Sequence, residues 1–161
     1  MDIWIERLRP EHLPLLERWA GRADGAVTPN DLPPDAAAIS AWLDACASEP
    51  GRWNALVTVY DTPVGVAGLR RTAPDTAELS LLLGEVQYNL LRTATYAVLR
   101  MLDRAFEDAS IRHVTMRVGA RFSQLLEAFE RMGFVRAGAQ TGAAVCLSVE
   151  KAAFSQRKYL F

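Results

Sequence analysis

Cysteine and histidine are scarce in this chain of 161 residues, two of each. Cys46 and Cys146 stand one hundred residues apart, far outside the short spacings of a metal site, and both are read as reduced packing residues. His12 and His113 have no partner motif. No Ser/His/Asp set, Walker loop, dinucleotide fingerprint or metal-ligand spacing occurs, which removes the nucleotide-loop, metal and catalytic-triad classes. Long apolar runs are also missing. The start, "MDIWIERLRPEH", carries charge from its second residue, so it fits neither a signal peptide nor a membrane anchor, and a cytoplasmic protein is expected. A surplus of one charge is absent too. With 18 basic and 19 acidic residues the net charge is −1, which argues against general nucleic-acid coating. One local exception is the span from Arg92 to Arg121, with six arginines (92, 100, 104, 112, 117 and 121) against three acids.

What is present is an ordinary globular composition, 50% hydrophobic and 23% charged, expected to form one domain over residues 1–161. "IWIERLRP", alternating at Ile3, Ile5 and with a slip Leu8, reads as a strand closed by Pro10, and "EHLPLLERWAG" as a short helix stopped at Gly21. The Gly/Pro/Asp-rich stretch 21–34 is a long loop of the kind that often serves function. Asp35 caps a second helix that Pro50 and Gly51 end. From Trp53 the period becomes two, giving three strands joined by "DTP" and "TAPDT". A helix with apolar positions at Leu91, Ala94, Val98, Met101, Leu102 and Ala105 follows. The remainder reads strand, helix with a glycine cap, and two closing strands.

That order, with "PVGVAGLRR", "AELSLLLGEVQY" and "AFERMGFVRAG", resembles the GNAT N-acetyltransferase superfamily, in pattern closest to its ribosomal-protein N-terminal acetyltransferase branch. The resemblance implies an α/β (α+β) fold, a mixed and mostly antiparallel sheet of about seven strands flanked by about four helices. It also implies acyl transfer from acetyl-CoA to an amine. Yet the donor motifs depart from the family. The coenzyme A pyrophosphate turn of pattern Gln/Arg-x-x-Gly-x-Gly/Ala, in which glycine admits close approach to backbone N–H groups, is represented by Asn89, Arg92 and Ala94. Only Ala94 fits. Phe122 stands at the family's cofactor-contacting asparagine, Arg121 at the residue before it, and Phe129 at the tyrosine that often protonates the departing thiolate.

Within the resemblance, the catalytic candidates are Glu78, Ser80 and Tyr96. Glu78 is either a general base, acting directly or through water, or a structural strand glutamate held by an arginine or the backbone. Ser80 shares its face by strand alternation and could orient water or substrate. Tyr96, or Tyr88, could replace the missing phenol. Donor-binding candidates are the Leu82 and Leu83 backbone N–H groups, which would hold the oxyanion, and Asn89, Arg92, Thr93, Ala94, Thr95 and Arg121. Three functions follow. The first is acyl transfer from an aminoacyl-tRNA or a carrier-protein thioester that docks on the Arg92–Arg121 region. The second is acetyl transfer from acetyl-CoA through an eroded motif, and the third a non-catalytic binding role. The acceptor, a small-molecule or peptide amine, is expected between the N-terminal helices and the sheet, near loop 21–34 and Trp42 or Trp53. No tightly bound cofactor or metal is expected, and the chain is expected as monomer or homodimer.

Overall fold

In the computed structural model, residues 2–22, 24–29, 31–85, 89–138 and 142–158 are described. β1 (Ile3–Arg7) leads through a 3-10 turn to α1 (Leu13–Trp19), and a second 3-10 turn opens α2 (Ile39–Ser48). The meander β2 (Arg52–Val59), β3 (Thr62–Ala73) and β4 (Thr76–Leu83) comes next, then α3 (Leu90–Phe106), β5 (His113–Gly119), α4 (Ser123–Met132), β6 (Val135–Arg136), β7 (Ala144–Glu150) and α5 (Lys151–Arg157). The seven strands form one sheet in the order β1-β2-β3-β4-β5-β7-β6. All neighbours are antiparallel except β4 and β5. The α+β fold is thus the one the motifs implied, with α5 as a helix the sequence pattern did not reveal.

Local chemistry explains the element ends. The Asp35 carboxylate accepts the Ala37 N–H at 3.0 Å and opens the turn before α2. Gly133 closes α4 at φ +114, a conformation that a side chain would strain. In α3 the expected apolar positions Ala94, Val98, Met101, Leu102 and Ala105 are buried. Leu91 is 36% exposed, and half-buried Leu90 makes the first inward contact instead. Leu90 lies four residues before Ala94 and so shares its inward face, while Leu91 turns outward.

Strand alternation divides the sheet into two faces. Ala77, Leu79, Leu81 and Leu83 of β4 join the larger core with α3 and α4, while Leu82 joins Leu16, Trp19, Ile39, Leu43, Leu56 and Val66 beneath α1 and α2. The N-terminal helices cover this second face only at one end. The rest of it carries the polar rows described next.

Candidate active site

Two cross-strand rows make the uncovered part of that face. One runs Arg52–Arg70–Glu78–Thr115 and the other Asn54–Gly68–Ser80 across β2, β3, β4 and β5. They floor a depression of about 180 Å³ walled by Pro29, Asp31 and Arg117. Gly68 is what gives the floor its depth: a Cβ there would stand 2.7 Å from Asn54 Oδ1 and 2.9 Å from Ser80 Oγ. Glu78 and Ser80 therefore share one opening, as alternation predicts. Arg117 Nη2 lies 3.6 Å from Glu78 Oε1.

The walls are held by ion pairs. The Arg52 side chain is 8% exposed and is bonded by both Asp31 and Glu49. Burial opposes its charge, but these carboxylates outweigh burial and push its pKa up. Arg70 also reaches Glu49, at 3.2 Å. Asn54 Nδ2 and Trp42 Nε1 are buried without a hydrogen-bond partner among the described residues, and both border a narrow cleft continuous with the depression through Asp31, Asn54, Gly68 and Ser80. The Asn54 side chain also lies against the Cys46 thiol, so Trp42 Nε1 is the donor at the base of the cleft that favours a ligand with an acceptor oxygen. Sequence reasoning missed Asp31, Arg52, Asn54, Gly68 and Arg70. Its available signal was the polar pair at 52 and 54, one face of a strand whose next same-face residue is Leu56.

β4 and β5 pair only from Thr76–Glu78 to His113–Thr115. Beyond that rung they diverge, and Gly25–Thr28 lies between them. Val27 N–H and Thr28 N–H donate to the Leu81 carbonyl at 3.1 and 3.3 Å, Leu83 N–H donates to the Gly25 carbonyl at 2.8 Å, and Gly119 N–H to the Val27 carbonyl at 3.1 Å. The Leu81 N–H donates to Thr28 Oγ1 at 2.8 Å. The Leu83 N–H, expected to be open for an oxyanion, is thus already bonded, and the Leu82 and Leu83 side chains are buried.

At the start of α3 the chain caps itself. Asn89 Oδ1 accepts the Arg92 N–H at 3.0 Å, so Asn89 serves the helix where a phosphate oxygen was expected. Thr93, Ala94 and Thr95 are buried and offer no side chain to a ligand in this conformation. Thr95 donates to the Leu91 carbonyl, whereas Thr93 Oγ1 has no partner among the described residues. Arg92 is exposed and lies over the Tyr96 ring at 5.4 Å. Tyr96 packs on the larger core, across the sheet from Glu78 and Ser80, and the structure does not bring it to them. Tyr88 lies outside the described residues. Phe129 is fully buried with its ring against Phe134.

The arginine surplus does not form one basic face. Arg100 donates to the Ile3 carbonyl and covers Trp4, Arg104 covers Trp53, and Arg117 lines the depression on the other side of the sheet. Arg121 donates to the Asp24 carbonyl at 3.2 Å and covers the Phe122 ring. Docking of a tRNA or a carrier protein on a continuous Arg92–Arg121 surface loses its structural basis. Trp53, suggested near the acceptor, faces Arg104 and a separate depression of about 460 Å³ on the α3 side. Trp42 is the tryptophan beside the Glu78 opening.

Comparison with known proteins agrees with this geometry. Residues 2–135 match the family described as the acetyltransferase (GNAT) domain. The chain belongs to the GNAT acetyltransferase family. Among solved structures it is similar to aminoglycoside acetyltransferase AAC(6')-Ib in complex with coenzyme A, with a TM-score of 0.80 at 17% identity over 96% of this chain and 98% of that one. It is also similar to spermidine N-acetyltransferase from Vibrio cholerae in complex with CoA and spermine, with a TM-score of 0.79 at 11% identity over 95% and 98% of the two chains. An uncharacterized protein from Bacillus halodurans gives 0.80 at 11% identity over 98% and 88%. No curated protein matches in sequence.

Proposed function

We propose that the protein is an amine N-acetyltransferase that takes its acetyl group from acetyl-CoA and binds its acceptor in the depression over Glu78 and Ser80. The observation that carries this is the position of those two residues. They sit side by side on the open face of β4, and Glu78 occupies the last rung before β4 and β5 part. A base there stands where an amine can meet a thioester lying in the gap. The family membership and the coenzyme A complexes of the similar structures support acetyl-CoA over an aminoacyl-tRNA or carrier-bound donor.

In the reaction Glu78 takes the ammonium proton, directly or through a water oriented by Ser80, and the free amine attacks the thioester carbonyl. The attacking nitrogen loses a second proton to water, the tetrahedral oxyanion collapses to the amide, and the C–S bond breaks to release the CoA thiolate. Among the described residues no phenol lines the depression, so the thiolate takes its proton from solvent.

The acceptor class follows from the walls. Arg52, Arg70 and Arg117 are matched by Asp31, Glu49 and Glu78, so the walls carry no acidic surplus to draw a polycation, although the similar structures include complexes with ribostamycin and with spermine. The Trp42 Nε1 donor suits a carbonyl oxygen close to the amine. A peptide N-terminus offers both, in keeping with the ribosomal-protein branch that the sequence motifs resemble.

The test is CoA-thiol release and product mass with short peptides, free amino acids, spermine and ribostamycin at millimolar acetyl-CoA. Acetylation of peptide N-termini in preference to the polycations is expected. Transfer to none of these amines overturns the assignment.

A further inference from the structure

We infer that residues 24–28 are a strap that closes the donor groove, and that acetyl-CoA enters only when the strap leaves. This rests on the acetyl-CoA donor proposed above. Past the Glu78–Thr115 rung, the backbone groups of β4 that face the gap are those of the alternate residues Leu81 and Leu83, as their hydrogen bonds to residues 25–28 show. An extended donor arm lying in the gap has to use those groups. In this structure the strap holds them: Leu81 through its carbonyl and its N–H, Leu83 through its N–H, and Gly119 of β5 through its own. Arg121, at the far edge of the gap, is bonded to the Asp24 carbonyl. The chain thus supplies its own extended occupant.

The fit is built from particular side chains. Val27 is fully buried within the larger core, and Thr28 is 2% exposed with its hydroxyl accepting the Leu81 N–H. Gly25 passes so close to β4 that a Cβ would stand 1.7 Å from the Leu83 carbonyl oxygen, a distance that backbone atoms cannot relieve by turning a side chain. The strap therefore competes with the donor for the same hydrogen bonds, and the apparent donor affinity is the intrinsic affinity multiplied by the fraction of molecules with the strap open.

Two substitutions shift that fraction. Thr28→Val removes the acceptor of the Leu81 N–H, and Gly25→Ala prevents the close approach. Acetyl-CoA affinity is measured by calorimetry and amide exchange by NMR, on wild type and both variants, with thermal melts to show that each is folded. The expected result is an affinity about tenfold tighter for Thr28→Val, tighter still for Gly25→Ala, and loss of protection at the Val27 and Thr28 amides when wild type is saturated. Should Gly25→Ala fail to fold, Thr28→Val and the wild-type exchange data decide alone. Binding with unchanged affinity in the variants, and with the Val27 and Thr28 amides still protected in the wild-type complex, overturns the strap while leaving the donor assignment standing. Folded variants whose strap amides exchange freely and which bind no acetyl-CoA at millimolar concentration overturn both.

Discussion

Arg117 Nη2 stands 3.6 Å from Glu78 Oε1, and the two side chains are 48% and 36% exposed. An ion pair this open to water adds little stability, and under the proposed function it would aim the carboxylate. Glu78→Gln keeps the shape and removes the base. We expect kcat/KM to fall about 100-fold or more with the urea midpoint unchanged. An unchanged rate would assign Glu78 to structure alone.

Gly68 sets the depth of the depression over Glu78 and Ser80. Gly68→Ala places a methyl group against Asn54 Oδ1 and Ser80 Oγ, at 2.7 and 2.9 Å before any adjustment. Both neighbours are the ends of side chains that can turn aside, so the fold is expected to survive. The acceptor KM should rise while the acetyl-CoA affinity, read by calorimetry, stays constant.

Phe129, which the sequence resemblance sets at the family's tyrosine, is buried on all sides. Phe129→Tyr is expected to lower stability by about 1–3 kcal/mol, the cost of an unpaired buried hydroxyl, without raising the rate. Urea unfolding and a steady-state assay separate the two effects.

Asn89→Ala removes the cap on the Arg92 N–H and should cost about 0.5–2 kcal/mol, read as a lower melting midpoint. Restoration by Asn89→Asp, which keeps the accepting oxygen, would identify capping as the cause.

Two carboxylates make stability depend on pH. Hydrogen bonds from Arg52, and then Arg70, hold the Glu49 carboxyl below its ordinary value, and the Ser110 hydroxyl and N–H, aided by Arg71, do the same for Asp108. A depressed folded pKa means that the unfolded chain binds more protons as the pH falls. The contribution is complete above the unfolded values of about 4 and is lost as the pH drops through the lower folded values. In urea titrations between pH 7 and 3, Glu49→Gln and Asp108→Asn should each flatten the acid limb.

The element order was legible because alternation and helical spacing are local signals. β4 shows it plainly, with Leu79, Leu81 and Leu83 on one face and Glu78 and Ser80 on the other. α5 escaped because Phe154 is the one buried residue of its seven and draws no apolar stripe, whereas α1, equally short, shows Leu16 and Trp19. Gly25–Thr28 escaped for a different reason: its partners Leu81, Leu83 and Gly119 are more than fifty residues away, and "GAVT" has neither strand length nor alternation. The departures at Asn89, Phe122 and Phe129 were visible as letters, but their physical meaning was not. Asn89 caps a helix, Phe122 lies under Arg121, and Phe129 fills the core.

The short β4–β5 ladder has a mechanical consequence. Three rungs, extended at one end by the Arg112 and His113 N–H groups on the Asp75 carbonyl, join β1–β4 to β5, β7 and β6, and Gly25–Thr28 bridges the seam at the other end. Backbone bonding between the two halves of the sheet therefore runs in large part through a loop. Releasing that loop should lower the cooperativity with which the halves unfold, leaving β5, β7 and α4 able to open as a unit before β1–β3. Occupancy of the seam, by the chain itself or by a ligand, then decides whether the molecule behaves as one folding unit or two.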